Sequence, residues 1–287
     1  MAYFAIILSL TFWSITQIIL KSIVDKLPKS KALIAQYIIS FLFIVFYAIF
    51  TEQIQMEIGF FLITFAGFLS SIGAYFQWRA YKISLSKTGL FMPFMNIIAA
   101  ILTAIFLKEK FLYSNIEFVL GVIFSFIASF LLVRKKSNDK SKLDLEWLFS
   151  VFGMIIFTGI TLFLMKVFSF SISRTQFLIY WYLGAILGSA IFLWAGRHDQ
   201  NKLFQKGFWK IPLASIGTLG TLAALYWAFQ IAPAAIVLPI QAFGTAFIPL
   251  ILGLAIFKER KILTKYEIIG FLFGAIGVAL IIVSGRT

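Results

Sequence analysis

IEFVLGVIFSFIASFLLV at 116–133 and YEIIGFLFGAIGVALIIV at 266–283 are the two stretches that decide the fold of this chain. Each is an apolar run with a single carboxylate, Glu117 or Glu267, at its opening. A helix rising 1.5 Å per residue needs about 20 such residues to cross the hydrocarbon core of a bilayer. Lipid cannot satisfy free backbone N–H and C=O groups, so a helix is the natural way across. The two runs are also a pair. Glu117 and Glu267 stand 150 residues apart, and at the same offset KEK at Lys108–Lys110 recurs as KER at Lys258–Arg260.

Reading outward, eight more apolar segments complete a set of ten. The segments are 3–20, 33–51, 59–78, 89–107, 116–133, 147–165, 176–195, 211–230, 235–256 and 266–283. Hydrophobic residues form 61% of the chain and charged residues 13%, about half the charge of an ordinary globular domain. The expected fold class is all-α, a polytopic membrane protein of ten transmembrane helices, with no room left for a water-soluble domain. The net charge of +14 lies in short gaps between apolar segments, as suits membrane orientation and anionic lipid rather than nucleic acid. The first segment lacks a basic n-region and a cleavage pattern, so it reads as a retained helix rather than a signal peptide. With no Cys, the chain has no disulfide and no thiolate ligand or nucleophile.

RKKSNDKSKLDLE, residues 134–146, is the longest polar stretch and divides the chain into five helices plus five. The expected domains are 1–133, a basic linker at 134–146, and 147–287. Upstream, RAYKISLSK (79–87) matches AFQIAPAA (228–235) in hydropathy with a two-residue shift, and Trp13 to Lys21 is echoed weakly by Thr158 to Lys166. An odd number of helices in each half makes the second repeat insert upside down relative to the first. Inverted repeats are the architecture of many secondary transporters, with the site near the midplane where the halves meet. The gaps after helices 1, 3, 5, 7 and 9 hold 20 of the 25 Lys and Arg residues. The positive-inside rule places those gaps in the cytoplasm and both termini outside.

The two five-helix repeats and three motifs carry a family resemblance. The motifs are W-S-x-x-Q-x-x-x-K at Trp13–Lys21, YWAFQIAPAA at 226–235, and K-E-K/R after helices four and nine. Together they resemble the EamA branch of the drug/metabolite transporter superfamily over almost the whole chain. The resemblance implies a ten-helix carrier in which the first four helices of each repeat surround a central cavity, while helices five and ten sit at the edge. It also implies export or exchange of small metabolites such as amino acids, in the inner (cell) membrane of a bacterium. The first repeat departs from the pattern, carrying Ser84–Leu85–Ser86 where the second has Ala232–Pro233–Ala234. Members are usually drawn with cytoplasmic termini, opposite to the Lys/Arg count.

Charge inside hydrocarbon is expensive and marks function by default. No Asp, Glu, Lys, Arg or His falls at mid-depth in any segment, which disfavours a carrier driven by a central carboxylate. Polar uncharged residues do reach mid-depth. Trp13, Thr16 and Gln17 share one face of helix one; Asn96 is central in helix four; Gln241 and Thr245 share a face of helix nine. Tyr75 and Trp78, Tyr180 and Trp181, and Tyr226 lie nearer the ends of helices three, seven and eight. These eleven are the candidate substrate-binding residues. Amides and hydroxyls would hold a polar head, and aromatic faces an apolar or cationic tail. For each, helix packing or an interfacial aromatic belt is the competing reading.

Pro93, Pro239 and Pro249 interrupt the corresponding helices four and nine and are the candidate hinges. Small residues at Gly121, Ser125 and Ser129, and at Gly270 and Gly274, form seams that could join helix five to helix ten. Glu109 and Glu259 sit among basic neighbours and read as solvated ion pairs. The only histidine, His198, lies in a charged loop.

The expected function is a secondary transporter of zwitterionic or neutral metabolites. A carrier of quaternary ammonium or other cations held in an aromatic cage is the alternative, and a non-transporting scaffold or sensor is a remote one. The expected partners are a small-molecule substrate and the lipid bilayer, with the chain a monomer or a dimer. No cofactor, metal or nucleic acid is expected. With a single loop histidine and no acid at mid-depth, the sequence offers no catalytic constellation, so an enzyme is not expected.

Overall fold

The structure is a computed structural model that describes residues 1–51, 60–109, 116–133, 145–195, 207–257 and 265–284. Among these residues all regular structure is helical. In chain order the helices are α1 Ala2–Ile23, α2 Lys29–Thr51, α3 Phe60–Ile83, α4 Leu85–Phe91, α5 Pro93–Leu107 and α6 Ile116–Val133. They continue with α7 Leu145–Phe168, α8 Arg174–Ala195, α9 Lys210–Ile231, α10 Ala234–Ile251 and α11 Lys265–Ser284. Most of the linker, residues 134–144, lies outside the described residues, as do Glu259 and His198.

Eight spans among the described residues are long and apolar enough to cross a membrane, counting α4 with α5 as one and α10 with its extension as another. Their outer faces are greasy. Phe46, Phe50, Phe61, Phe106, Phe149, Phe152 and Trp194 are all exposed. An apolar surface of this extent suits lipid rather than water. This is the build of an integral membrane protein.

Segment four starts earlier than its hydropathy suggests and is broken. The chain enters α4 at Leu85, capped by Ser84, whose side-chain oxygen accepts from the Lys87 N–H at 3.2 Å. Pro93 then opens α5 as its first residue, where a missing N–H costs least. Segment nine responds differently to its prolines. Helix α10 runs through Pro239 and Pro249, and a π-helical turn at Leu252–Ile256 follows the second.

Packing is set by small residues. Helix α1 lies on α9, with Thr16 against Gly217 and Phe12 against Gly220. Helix α7 lies on α3, with Thr158 and Phe157 against Gly73. Helix α3 also crosses α8, where Gly67 meets the Trp181 carbonyl and Gly184 meets the Thr64 carbonyl. A Cβ at either glycine would overlap backbone, so only Gly allows these helices to come so close. Helix α10 packs on α4, α5 and α1. Helices α6 and α11 pack chiefly on each other, with Phe124 and Phe273 rings 5.4 Å apart.

Two polar clusters mark the two ends of the bundle. At the end carrying the α1–α2 turn, hereafter the first face, Lys21 Nζ donates to the Tyr81 carbonyl at 2.7 Å. Lys210 Nζ donates there to Ser22 Oγ at 3.0 Å, and Arg79 pairs with Glu146 at 2.7 Å. At the opposite end, the second face, Lys166 Nζ donates to the carbonyls of Phe229 at 3.0 Å and Ala232 at 3.1 Å. A cation on the last carbonyls of α9 suits the negative end of that helix.

Glu109 corrects the sequence reading. Among the described residues its ion-pair partner is Lys166, 3.5 Å away, and its carboxylate also accepts the Ala234 N–H at 2.8 Å, at the start of α10. Lys108, left-handed at φ 54°, ends α5 immediately before it. Side-chain exposures of 4% for Lys166 and 16% for Glu109 make this a mostly buried pair rather than a solvated one.

Candidate functional site

A cavity of about 80 Å³ opens between α1, α2, α3 and α9. Helix α1 contributes Trp13, Thr16, Gln17 and Leu20; α2 contributes Leu33, Gln36 and Tyr37. Helix α3 adds Ala74, Gln77 and Trp78, and α9 adds Thr218 and Thr221. These positions run from the middle of each helix toward the first face. Each helix supplies its lining through one face: Trp13, Thr16, Gln17 and Leu20 follow an i, i+3, i+4, i+7 stripe.

Three hydroxyls on this wall are committed to backbone carbonyls. Thr16, Thr218 and Thr221 each donate their hydroxyl proton to the carbonyl four residues back, at 2.8 Å, on Phe12, Ala214 and Gly217 respectively. A threonine hydroxyl has one proton, so each offers only lone pairs to other groups. Gln36 Nε2 donates to Thr218 Oγ1 at 2.6 Å. That bond fixes which end of the amide faces Thr218 and leaves Gln36 Oε1 on the other side. Among the described residues, Gln36 Oε1 and Gln17 Oε1 are buried and accept no hydrogen bond. A buried polar atom left unpaired costs about 1–3 kcal/mol, so two on one wall mark where a donor is wanted.

Four of the eleven sequence candidates, Trp13, Thr16, Gln17 and Trp78, line this cavity. Three more form a chain of hydrogen bonds that reaches its wall. Asn96 Nδ2 donates to Thr245 Oγ1 at 3.4 Å, and Thr245 Oγ1 donates to the Gln241 carbonyl at 2.8 Å. Gln241 Nε2 donates to Ser9 Oγ at 3.3 Å, and Ser9 Oγ donates to the carbonyl of the cavity residue Thr221 at 3.2 Å.

The remaining four stand elsewhere. Tyr75 stacks on Phe192 with ring centroids 4.1 Å apart, and Tyr180 on Phe60 at 4.0 Å. Trp181 is buried with its carbonyl against Gly67. Tyr226 is buried and donates to the carbonyls of Phe168 and Ile172, each at 2.9 Å, tying the end of α7 to α9. Of the hinge candidates, Pro93 starts α5, while Pro249 lies where α10 approaches Gly89 of α4.

Sequence reading missed all of helix two. Gln36 and Tyr37 stand near the start of an apolar span, where a polar residue looks like an end rather than a wall. Thr218 and Thr221 were hidden in a run of small residues, LASIGTLGTLAAL (213–225), that reads as packing. Gln36 would have been found by asking which glutamines fall within an apolar span.

No family model matches the chain, and no curated protein matches it. Its fold does have a solved counterpart. A crystal structure described only as that of a protein superposes on 99% of this chain and 97% of its own, with a TM-score of 0.68 and 12% sequence identity. The likeness is one of fold.

Proposed function

We propose that this protein is a secondary carrier of small zwitterionic or neutral metabolites, of the drug/metabolite transporter type. In this reading ten helices form two inverted five-helix repeats, and transport proceeds by alternating access to the cavity. The observation that carries it is a partly polar chamber, with two unpaired buried amide oxygens, inside a bundle whose outer face is apolar. A purely structural bundle would gain stability by filling that space.

Support for the repeats comes from matched contacts. The α1–α9 pair, with Phe12 on Gly220, has a counterpart in the α7–α3 pair, with Phe157 on Gly73. Lys21 on the carbonyl of Tyr81 is matched by Lys166 on that of Phe229, at opposite faces. Ser84 and Ala232, at the paired turns, are both extended, with φ −157° and −144°. The Lys/Arg count puts the first face, and so the cavity side, in the cytoplasm. A quaternary-ammonium carrier is the second reading, favoured by the rings of Trp13, Tyr37 and Trp78 on the cavity wall.

The test is counterflow into proteoliposomes against a panel of labelled amino acids, amines and neutral metabolites, run at two pH values. Exchange of at least one solute, reduced by Gln17→Ala at unchanged expression, is the expected result. No exchange of any solute would remove transport as the function.

A further inference from the structure

We propose that the cavity selects a primary ammonium group, through its N–H donors, and has no requirement for a carboxylate. The inference rests on the carrier reading only for its biological setting; the site stands on its own geometry. Both orphaned buried atoms on the wall are oxygens, Gln17 Oε1 and Gln36 Oε1. Three threonine oxygens join them with their protons already given to backbone carbonyls. Five oxygens with no proton to give thus belong to residues that line the cavity, Thr218 Oγ1 among them already accepting from Gln36. A primary ammonium carries three donors and no acceptor, which is the complement of that surface.

Donors are present too, on the indoles of Trp13 and Trp78, the Tyr37 hydroxyl and the amides of Gln17 and Gln77. They are neutral and come from three helices, and no cation lines the cavity. Gln77 Nε2 already donates to Tyr81 at 2.7 Å. Lys21, one turn beyond Gln17, donates to the Tyr81 carbonyl and is not part of the wall. Neither a carboxylate nor an ammonium gains a counter-ion here, so the choice between them falls to the neutral oxygens and ring faces. The three aromatic rings add to the preference for positive charge. A quaternary ammonium would gain from the rings but has no N–H, so it would leave both amide oxygens unpaired. An α-amino acid would enter by its nitrogen end.

The full-length chain in detergent micelles, eluting as a monodisperse species, is dialysed to equilibrium against labelled propylammonium, tetramethylammonium and propionate. Propylammonium is expected to bind at least about tenfold more tightly than either of the others, the difference made by one or two charged hydrogen bonds. Gln17→Leu and Gln36→Leu are each expected to weaken it about tenfold, and Gln17→Glu to tighten it. Equal binding of tetramethylammonium overturns the proposal. So does propionate binding that disappears in Lys21→Met, or no binding of any probe to folded protein. Because binding in micelles needs no transport, propylammonium binding to a protein that shows no counterflow of any solute would end the carrier reading and leave this one standing. Counterflow of solutes without an amine, with no propylammonium binding, would do the reverse.

Discussion

Where α3 crosses α8, Gly67 lies on the Trp181 carbonyl and Gly184 on the Thr64 carbonyl, and backbone touches backbone. Where α9 crosses α2, the contact is made by side chains. Ser215 Oγ donates to the Gln36 carbonyl at 3.0 Å, Ser40 Oγ to the Ser215 carbonyl at 3.2 Å, and the cavity opens beside them. The first crossing lies in the half of the bundle toward the second face, where Lys166, Glu109 and Tyr226 also tie helices together. The second lies toward the first face. A glycine contact has no room to give, since any added atom meets main chain, whereas a hydroxyl bridge can exchange its partner for water or ligand. The first crossing is thus closed by shape and the second held by replaceable hydrogen bonds.

Exchanging the two chemistries is the most direct way to break this contrast. Gly67→Ser should be the most damaging change, because its Cβ would overlap the Trp181 carbonyl; overpacking costs about 1–3 kcal/mol and more when backbone must move. We expect loss of the monodisperse species in size-exclusion chromatography. The converse change, Ser215→Gly, should be folded and lose only about 1 kcal/mol, read as a modest fall in melting temperature. If both variants behave alike, the distinction between the crossings fails.

Lys166→Met ranks next to the glycine substitution. It strips Glu109 of its ion-pair partner and two carbonyls of α9 of their donor, a loss of about 3 kcal/mol by analogy with other broken buried pairs. A second change, Glu109→Gln, should recover part of it, and a double-mutant cycle on thermal stability measures the coupling. Lys21→Met, which removes the bond to the Tyr81 carbonyl at the other face, should cost about a third as much.

The cavity wall should respond in the opposite sense. Gln36→Leu gives up one bond to Thr218 but also removes an unpaired buried oxygen, so stability should change by less than about 1 kcal/mol while ligand binding falls. Smallest of all is Arg79→Gln, which breaks an exposed pair with Glu146 and should leave the melting temperature within scatter. A large effect there would show that the first face is held by charge after all.

Much of the fold was legible in the sequence. The segments read at 116–133 and 266–283 coincide with α6 and lie within α11, and the remaining segments fall on described helices apart from residue 59 and the break at Met92. The break at Met92–Pro93 was signalled by proline; the earlier start at Leu85 was not, because Ser84 caps the helix without raising hydropathy. The site was legible only in part. Gln17 announced itself as an amide in mid-span, whereas Gln36 gained meaning from Thr218, a partner 182 residues away.

What the sequence determined by itself is the solvent: runs of about 20 apolar residues have one stable form in lipid, and their spacing is read directly from the order of residues. What only the tertiary structure decided is which polar atoms meet and which are left over. Hydrogen-bond satisfaction depends on how helices distant in sequence are paired and rotated. The same glutamines in a different packing would be silent structural bonds instead of a site.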